Sequence, residues 1–335
     1  MRIVVLMGGD SPERDISLVT GDNVANALVE NGHEVFKIDP VGTREDQHNL
    51  NAKNSHLIGF EYPEEKQIHI HPNSYYLRNM LLIMKLRPDL VFNALHGGKG
   101  ENGIVQGMFD ALEIPYTGSG RVASMLAMDK ELSKSYFRMA KLPTPRSQFL
   151  DRPDASRKKI KKLIYPQVVK PNDQGSTIGV RIVDTYEDME EAIDQAFKFS
   201  DKVIIEEYIA GREMTVGVVK TRTLPVVEIR PKHQYFDYEC KYQDGMTEYI
   251  VPARIPEELT RILQNLAFQA HNLLGCNGYS RVDFRLSENN EPYILEVNTL
   301  PGFTGHSLVP MAAKAAGINF NSLVEMIIEE AVRPG

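Results

Sequence analysis

The sequence predicts an α/β domain followed by two α+β units. The first third alternates apolar runs with helical patterns, the middle places a glycine-bearing loop between two strands, and the last third is rich in strands. A length of 335 residues exceeds a single typical core and favours two or three domains. We expect an N-terminal domain at 1–118, a central unit at 119–206 and a C-terminal unit at 207–335.

The first domain is predicted to contain a parallel sheet. The run IVVLMGG at 3–9 is apolar throughout, as expected of a strand buried on both faces. Ser11, Pro12 and Glu13 fit the N-cap, first position and first-turn acid of a helix that runs towards Glu30. Strands that alternate with helices favour parallel pairing. The remaining predicted elements are strands at 34–39 and 90–97, a helix near 74–86, and loops with short strands over 40–73.

The other two units are predicted from strand-rich patterns. A helix near 129–141 precedes the strands QVVKP (167–171) and GVRIV (179–183). Apolar residues recur at helical spacing over 259–274, and Gly275 ends that helix. Further strands are predicted at 202–209, 212–220, 224–230 and 248–253, and a hairpin is predicted at 281–302.

Composition excludes several classes of function. The net charge of −7 provides no basic surface for nucleic acid. The two cysteines, Cys240 and Cys276, have neither zinc-ligand nor disulfide-framework spacing, which favours a reducing compartment. Only about six apolar residues precede Gly8, too few for a signal-peptide core or a membrane span. We therefore expect a cytoplasmic protein that binds neither nucleic acid nor membrane.

The predicted hairpin at 281–302 brings two acidic residues face to face. If Asn289 and Asn290 form a two-residue turn, residue i pairs with residue 579 − i, and Asp283 lies opposite Glu296. Two carboxylates about 5 Å apart across a ladder repel each other. At an effective dielectric near 20 this repulsion amounts to roughly 3 kcal/mol. The pair therefore needs a positive partner.

Two kinds of partner are compatible with this pair. Asn298 lies on the same face as Glu296, and three hard oxygen ligands without histidine or cysteine suit Mg²⁺ bound to a nucleotide. Arg281 is the alternative neutralising group, in a solvated edge hairpin whose acids have no function. The magnesium–nucleotide site is the favoured interpretation.

A magnesium nucleotide also needs donors for its phosphates. The chain has neither a Walker A pattern nor GxGxxG, but KPNDQGSTIG at 170–179 places a lysine, a glycine and two hydroxyls between strands. The same loop is compatible with an ordinary hairpin turn. Three more segments have both a functional and an ordinary interpretation: 205–213 as an adenine and ribose site or a strand, 96–101 as a ligand site after a buried strand or a turn, and 233–245 as a lid or an exposed loop.

Taken together, these segments resemble the ATP-grasp superfamily and, within it, the D-alanine–D-alanine ligase family. The resemblance covers nearly the whole chain and is carried by GGDSPERDISL, ALHGGKGENGIVQG, IPYTGSG with MDK, VVKPNDQGSTIG, IIEEYIAGREMTV, FDYECKY, RVDF and LEVNTLPGFTGHSL. Each segment alone is modest, but eight in this order and spacing are specific. The resemblance implies an ATP-grasp fold with an N-terminal parallel-sheet α/β (preATP-grasp) domain.

The resemblance also implies a reaction, in which ATP drives the joining of two D-alanines for peptidoglycan precursor synthesis. The first carboxylate attacks the γ-phosphate to give an acyl phosphate, and the second amine displaces phosphate through a tetrahedral intermediate. Such transfer depends on positioning and charge neutralisation. Two Mg²⁺ ions, for which Mn²⁺ can substitute, and a homodimer formed through the N-terminal domain are implied as well.

Roles for individual residues follow from the same resemblance. For the nucleotide they are Lys130, Lys170 and Lys241 on the phosphates, Glu206 with the backbone of Glu207 and Ile209 on adenine, and Glu213 on ribose. Asp283, Glu296 and Asn298 bind the metal ions. For the substrates they are Glu13 on the first ammonium in a network with Ser176 and Tyr242, His96 nearby, Arg281 and the Gly302 N–H on the oxyanion, and Ser307 and Leu308 on the second D-alanine. The loop ending in Lys241 and Tyr242 closes over the site and excludes water.

Three positions depart from the family pattern. Asn102 stands where Asp is usual, Thr177 replaces a second serine, and Cys240 replaces a small residue. Thr177 keeps the hydroxyl, whereas Asn102 removes a charge near the first-substrate subsite.

Three different functions compete with dipeptide formation. The closest uses D-lactate as second substrate and makes an ester, but Tyr242 favours the dipeptide. The second is a non-catalytic protein that binds ATP, and the third is a kinase whose phosphorylated product is stable. The filled metal and phosphate positions favour catalysis over simple binding.

Overall fold

In a computed structural model of the chain, residues 1–51, 75–152, 163–233, 245–305 and 307–332 are described. The chain divides into two compact units. The first contains residues 1–124, 276–280 and 299–335, and the second contains 125–275 and 281–298. The three-part division expected from the sequence stays a prediction.

The first unit contains a parallel sheet in the order β2-β1-β3. In chain order its first elements are β1 (Arg2–Leu6), α1 (Arg14–Glu30), β2 (Glu34–Ile38), α2 (Arg44–Asn51), α3 (Tyr75–Leu86), β3 (Leu90–Asn93), α4 (Gly98–Glu101) and α5 (Ile104–Ala111). Arg2 pairs with Glu34 and Ile3 with Leu90, both in parallel, which confirms the predicted pairing. The apolar run of β1 is buried because helices cover the sheet, and Val4 packs with Met80 and Phe109 in one core cluster.

Two local features of the first unit differ from the prediction. Helix α2 occupies residues predicted as loops and short strands, because Thr43 and Asp46 cap its start by reciprocal hydrogen bonds of 2.7 and 3.2 Å. Helix α1 begins at Arg14 rather than at the Ser11 cap. The Ser11 hydroxyl accepts from the Glu13 N–H at 3.2 Å and donates to the His96 carbonyl at 2.5 Å, so it fixes the turn before the helix.

The second unit contains two antiparallel sheets. Its elements follow α6 (Arg121–Met128) and are α7 (Lys130–Met139), β4 (Ser147–Asp151), β5 (Gln167–Pro171), β6 (Arg181–Val183), α8 (Met189–Ala196), β7 (Lys202–Glu207), β8 (Gly211–Val219), β9 (Arg222–Thr223), β10 (Val227–Pro231), β11 (Thr247–Ile250), α9 (Glu257–Leu273), β12 (Tyr279–Ser287) and β13 (Pro292–Asn298). One sheet has the order β4-β7-β5-β6, and the other has the order β11-β10-β8-β12-β13, with β9 paired to β8. The chain then returns to the first unit in α10 (Leu308–Ala315) and α11 (Phe320–Ala331). None of the helices in the described ranges has the length and apolar content needed to cross a membrane.

The hairpin of β12 and β13 pairs Asp283 with Glu296, as predicted, but by a different route. The predicted two-residue turn is wrong: the Ser287 N–H donates to the Glu291 carbonyl at 2.9 Å, which leaves three residues in the loop. Leu286 consequently pairs with Pro292. A β-bulge after Asp283 then adds one residue to β13, Leu295, and restores the predicted register.

Gly211 at the start of β8 provides a test of this packing. Its φ of +130° is a conformation that favours glycine, and an added Cβ would lie 2.2 Å from the Leu286 carbonyl oxygen. Gly275 is the matched control, since its φ is +72° but a Cβ there meets nothing within 4 Å. We expect Gly275→Ala to destabilise by about 1 kcal/mol and Gly211→Ala by at least about twice as much. Urea unfolding midpoints measure both, and equal midpoints would contradict the described backbone at Gly211.

Candidate active site

A cleft in the second unit collects most of the residues predicted to bind a nucleotide. It encloses about 960 Å³ of space, part of which is open to solvent. One wall comes from β5 and β6 and the other from β12 and β13, and the chain between β7 and β8 lines it as well. Apolar lining is contributed by Val168, Val180, Ile182, Ile209 and Leu295, and the last of these is the bulge residue of β13.

Glu206, at the end of β7, is a buried carboxylate of the cleft held by two lysines. Lys170 Nζ lies 2.5 Å from Glu206 Oε1, and Lys134 Nζ lies 3.0 Å from Glu206 Oε2. Burial raises the pKa of the Glu206 carboxyl, but the two ammonium groups outweigh burial and hold that pKa below its usual range. Glu206 is therefore an ionised acceptor with a fixed orientation.

The glycine-bearing loop after β5 is strained and anchored. Ser176 and Thr177 both have positive φ, +50° and +61°, which is uncommon for a β-branched residue such as threonine. Lys130 fastens the loop to α7 by donating from Nζ to the Gln174 carbonyl at 2.8 Å. Strain of this kind occurs where the surrounding structure fixes a backbone for function. The loop is thus held in one unusual conformation beside the cleft.

The facing acids of the hairpin are neutralised by the chain's own cations. Arg281 binds both oxygens of Asp283, at 2.8 and 2.7 Å, and Asn298 Nδ2 donates to Asp283 Oδ2 at 2.9 Å. Lys130 Nζ lies 3.3 Å from Glu296 Oε2. The structure therefore brings the three predicted metal ligands together and also pairs Asp283 with the alternative partner, Arg281.

The described residues contain no group of three or more histidine, cysteine, aspartate or glutamate side chains that could hold a metal. The candidate ligand set instead consists of two carboxylates and one amide, Asp283, Glu296 and Asn298. These are oxygen donors on neighbouring strands, a donor set that suits Mg²⁺ completed by water and phosphate oxygens. The residues therefore fit the ion by their chemistry.

The segment from Glu207 to Glu213 borders the cleft and is fastened by Arg285. Arg285 donates from Nε to the Ile209 carbonyl at 3.0 Å and from a terminal nitrogen to the Gly211 carbonyl at 2.9 Å. The same guanidinium lies 3.6 Å from Glu213 Oε2 and 5.6 Å from the centre of the Tyr208 ring. Arg285 thus fixes the backbone and carboxylate predicted to bind adenosine.

His96 in the first unit lies where β3 ends, and both of its ring nitrogens have described contacts. Nδ1 is 2.9 Å from the Leu300 carbonyl, and Nε2 is 2.9 Å from the Thr20 hydroxyl. A carbonyl can only accept, so Nδ1 donates to it, and Nε2 is hydrogen-bonded to the Thr20 hydroxyl. The Phe303 N–H in turn donates to Thr20 Oγ1 at 3.5 Å, so this histidine ties residues 300–303 to α1.

Ser307, Leu308 and Gly302 lie together at the start of α10. Ser307 is the N-cap of that helix, and its hydroxyl accepts from the Thr304 N–H at 2.9 Å. A Cβ added to Gly302 would lie 3.0 Å from Ser307 Oγ, so the two residues are close neighbours. Leu308 is buried. The N–H groups at the start of a helix favour a carboxylate, which is compatible with the predicted second-substrate subsite.

Glu13 lies immediately before α1 and next to the glycine-rich turn after β3. Gly97, with φ of +64°, leaves room for it, because an added Cβ would lie 2.6 Å from Glu13 Oε2. Glu13 belongs to the first unit and Ser176 to the second, and each is described within its own unit. Lys241 and Tyr242, and the departure at Cys240, lie outside the described residues.

Sequence reasoning missed three residues that organise this cleft. Thr215 donates from its hydroxyl to Asp283 Oδ1 at 2.6 Å, Arg285 holds the segment predicted to bind adenosine, and Lys134 pairs with Glu206. The period of two along β8 placed Thr215 on the face of Glu213, a signal that was available. The helical spacing also placed Lys134 one turn after Lys130. Arg285 gave no local signal, because its partners are distant in sequence.

The two sheets and the charged cleft between them define a nucleotide-binding enzyme of the ATP-grasp class. Two family models match the chain, "D-ala D-ala ligase N-terminus" over residues 2–119 and "D-ala D-ala ligase C-terminus" over residues 137–329. The D-alanine–D-alanine ligase of Halalkalibacterium halodurans is 41% identical over 99% of this chain and 100% of its own length. The enzyme of Aquifex aeolicus is 39% identical over 98% of this chain and 100% of its own length.

Solved structures agree with the sequence relatives. A crystal structure of the D-alanine–D-alanine ligase from Bacillus anthracis has 34% sequence identity and a TM-score of 0.79, and covers 99% of this chain and 98% of that chain. A structure of the Bacillus anthracis enzyme complexed with ATP has 31% identity and a TM-score of 0.76 over the same shares. The chain belongs to the D-alanine–D-alanine ligase family. The predicted fold class, family and ATP-dependent ligase activity are confirmed.

Thr215 provides a test of how Asp283 is held. Thr215→Val keeps the shape but removes a donor to a buried carboxylate, so we expect the free energy of unfolding to fall by about 2 kcal/mol. Thr215→Ser retains the hydroxyl and is the matched control, with a smaller loss from the missing methyl group. Urea unfolding compares the two variants. If valine destabilises no more than serine, the hydrogen bond to Asp283 does not contribute to stability.

Proposed function

We propose that this chain joins two D-alanines to D-alanyl-D-alanine through an acyl phosphate, with residues of the described cleft in the roles set out below. The observation that carries the proposal is the constellation of Lys130, Lys170 and Glu206 facing Asp283 and Glu296 across one cleft of a family member. Such a constellation supplies phosphate-binding cations and oxygen ligands for a metal in one place. A cytoplasmic location and a homodimer are part of the proposal by resemblance to the family.

Adenosine would bind between the apolar walls of the cleft. The ionised Glu206 carboxylate accepts from the 6-amino group of adenine, and the backbone of Glu207 and Ile209 recognises the edge of the base. Glu213 accepts from the ribose hydroxyls. The support is that these residues line one cleft and that Arg285 fixes Ile209 and Glu213 in place.

The triphosphate would lie towards the hairpin acids. Lys130 and Lys170 bind phosphate oxygens, with Lys241 as a third cation. Ser176 and Thr177 contribute hydroxyl groups to the strained loop. Asp283, Glu296 and Asn298 would hold two Mg²⁺ ions, for which Mn²⁺ can substitute. The ions would supply charge neutralisation for the transferred phosphoryl group.

The family resemblance assigns the residues that would orient the substrates. Glu13 binds the ammonium group of the first D-alanine, in a network with Ser176 and Tyr242, and His96 supports that subsite. Ser307 and the start of α10 bind the carboxylate of the second D-alanine, and Leu308 contacts its methyl group. These assignments rest on the family resemblance. The position of Ser307 at the helix N-cap supports its role in binding the carboxylate.

The proposed reaction consists of two displacements, the first at the γ-phosphorus of ATP and the second at the acyl carbon. The first carboxylate attacks the γ-phosphorus and ADP leaves, which gives an acyl phosphate. The second amine then attacks the acyl carbon, and phosphate leaves from a tetrahedral intermediate. Arg281 and the Gly302 N–H stabilise the oxyanion, because donors fixed in advance are most effective when charge develops.

The decisive experiment measures phosphate release from ATP with Mg²⁺ across D- and L-amino acids and D-lactate, with product mass determined. We expect release to require D-alanine and the product to have the mass of the dipeptide. A product that is mainly the mixed ester, when D-alanine and D-lactate are both present, would reject the choice of second substrate. ATP binding without release, or accumulation of a phosphorylated product, would reject ligation itself.

Glu296 tests the proposed metal site. Glu296→Gln removes a charged ligand, so we expect D-alanine-dependent phosphate release to fall by about 100-fold or more, with far-ultraviolet circular dichroism unchanged. The fold should persist because the substitution also removes the repulsion from Asp283. Glu291→Gln changes an exposed carboxylate next to the turn of the same hairpin and should leave activity unchanged. Full Mg²⁺-dependent activity in Glu296→Gln would refute the metal assignment.

A further inference from the structure

Lys134 is a fully buried cation for which the proposed reaction has no role. It lies in α7, one turn after Lys130, and its side chain is 0% exposed. Glu206 lines the cleft, whereas Lys134 contributes nothing to its described lining. Burying the charge of a lysine is unfavourable unless an opposite charge pairs with it. The group that pairs with Lys134 therefore indicates what this lysine does.

The ammonium group of Lys134 is fixed by two partners. Nζ lies 3.0 Å from Glu206 Oε2 and 2.9 Å from the Thr144 hydroxyl. Thr144 donates onward to the Ile294 carbonyl at 2.8 Å, so hydrogen bonds connect the Lys134 ammonium group to β13. The Glu206 carboxylate is therefore held from the side of α7 by its ion pair with Lys134.

The charge count in this cluster is uneven. Lys134 and Lys170 share the single carboxylate of Glu206. Burial lowers the pKa of Lys134 to about 8, and the nearby Lys170 charge acts in the same direction, although Glu206 opposes both. If Lys170 turns to the nucleotide, Glu206 keeps one cation, and that cation is Lys134.

We infer that Lys134 is a positioning residue that keeps Glu206 ionised and oriented for the 6-amino group of adenine, and so determines the preference of the cleft for adenine over 6-oxopurines. The inference rests on the proposed function. An ionised carboxylate accepts from an amino group but faces only an acceptor in a 6-oxo group, and two acceptors repel. A neutral or displaced Glu206 loses this discrimination, because a protonated carboxyl can donate to the oxo group.

The test compares ATP with inosine triphosphate, which differs from ATP at the 6-position of the base. Phosphate release with D-alanine is measured for the full chain and for Lys134→Met, as kcat and KM for each nucleotide. We expect the ratio of kcat/KM for ATP to that for inosine triphosphate to fall by about tenfold or more in Lys134→Met. The fall should come mainly from a higher KM for ATP, because the residue acts on binding of the base rather than on transfer.

Thr144→Val is the matched control. It removes the other partner of Lys134 but retains the charge beside Glu206, so it should lower stability and leave the nucleotide ratio unchanged. If Lys134→Met is unfolded, Lys134→Gln, which keeps a donor without the charge, is judged by the same ratio. An unchanged ratio in either folded variant overturns the inference.

The remaining outcomes are also decisive. Loss of folding in both Lys134 variants overturns the inference, since Lys134 would then be required for the fold itself. An unmodified chain that releases no phosphate from ATP with D-alanine refutes the proposed function instead. An unmodified chain that uses both nucleotides equally leaves the ligase function intact and overturns the inference alone.

Discussion

The pairing of three acidic groups of the cleft with cations is the constraint on which the site depends. Asp283 is bound by Arg281, Glu296 by Lys130, and Glu206 by Lys170 together with Lys134. An isolated buried carboxylate would be strongly unfavourable and would protonate instead. Because each of these three acids has a cation within 3.3 Å, the cleft can hold their ionised oxygens in one place.

Backbone features place these charges opposite one another. The bulge in β13 offsets the three-residue turn, so Asp283 and Glu296 face each other although the loop is one residue longer than expected. Without the bulge the register would shift by one and move Glu296 to the other face of the sheet. The added residue, Leu295, lines the cleft. One irregularity therefore aligns the acids and contributes to the apolar wall.

Periodicity predicted the sheets well, because buried parallel strands and helical stripes leave strong signals in sequence. It missed α2, where Thr43 and Asp46 form a short-range cap in a polar segment and Gln47 is buried against the Asp39 backbone. Asp283 and Glu296 were predicted correctly as partners although the predicted turn was wrong, because the extra residue in the turn is offset by the bulge residue Leu295. Local pattern does not reveal a bulge, because it depends on the neighbouring strand.

Most predicted site roles came from resemblance rather than from local physics, and the reason is visible in the contacts. Lys134 and Glu206, or Arg285 and Ile209, are separated by more than seventy residues. A lysine in a helix is usually solvated, so Lys134 gives no sign of burial until β7 and β13 are placed beside it. Arg285 fits the alternating pattern of a strand, but the sequence does not indicate which residues it contacts. Tertiary placement decides these roles.

Binding in the proposed reaction would proceed by exchange of partners among these charges. A triphosphate would attract Lys130 and Lys170, and the oxyanion would attract Arg281, and these cations now hold Glu296, Glu206 and Asp283. Two of the acids released, Asp283 and Glu296, are the proposed oxygen ligands for divalent ions. The third, Glu206, keeps Lys134 as its partner. An ion pair at 4 Å is worth about 4 kcal/mol at an effective dielectric near 20, so losing three pairs without replacement would prevent binding. In the proposed reaction each anion that recruits a cation would leave an acid in need of a new positive partner, and binding of nucleotide and metal would then be mutually dependent.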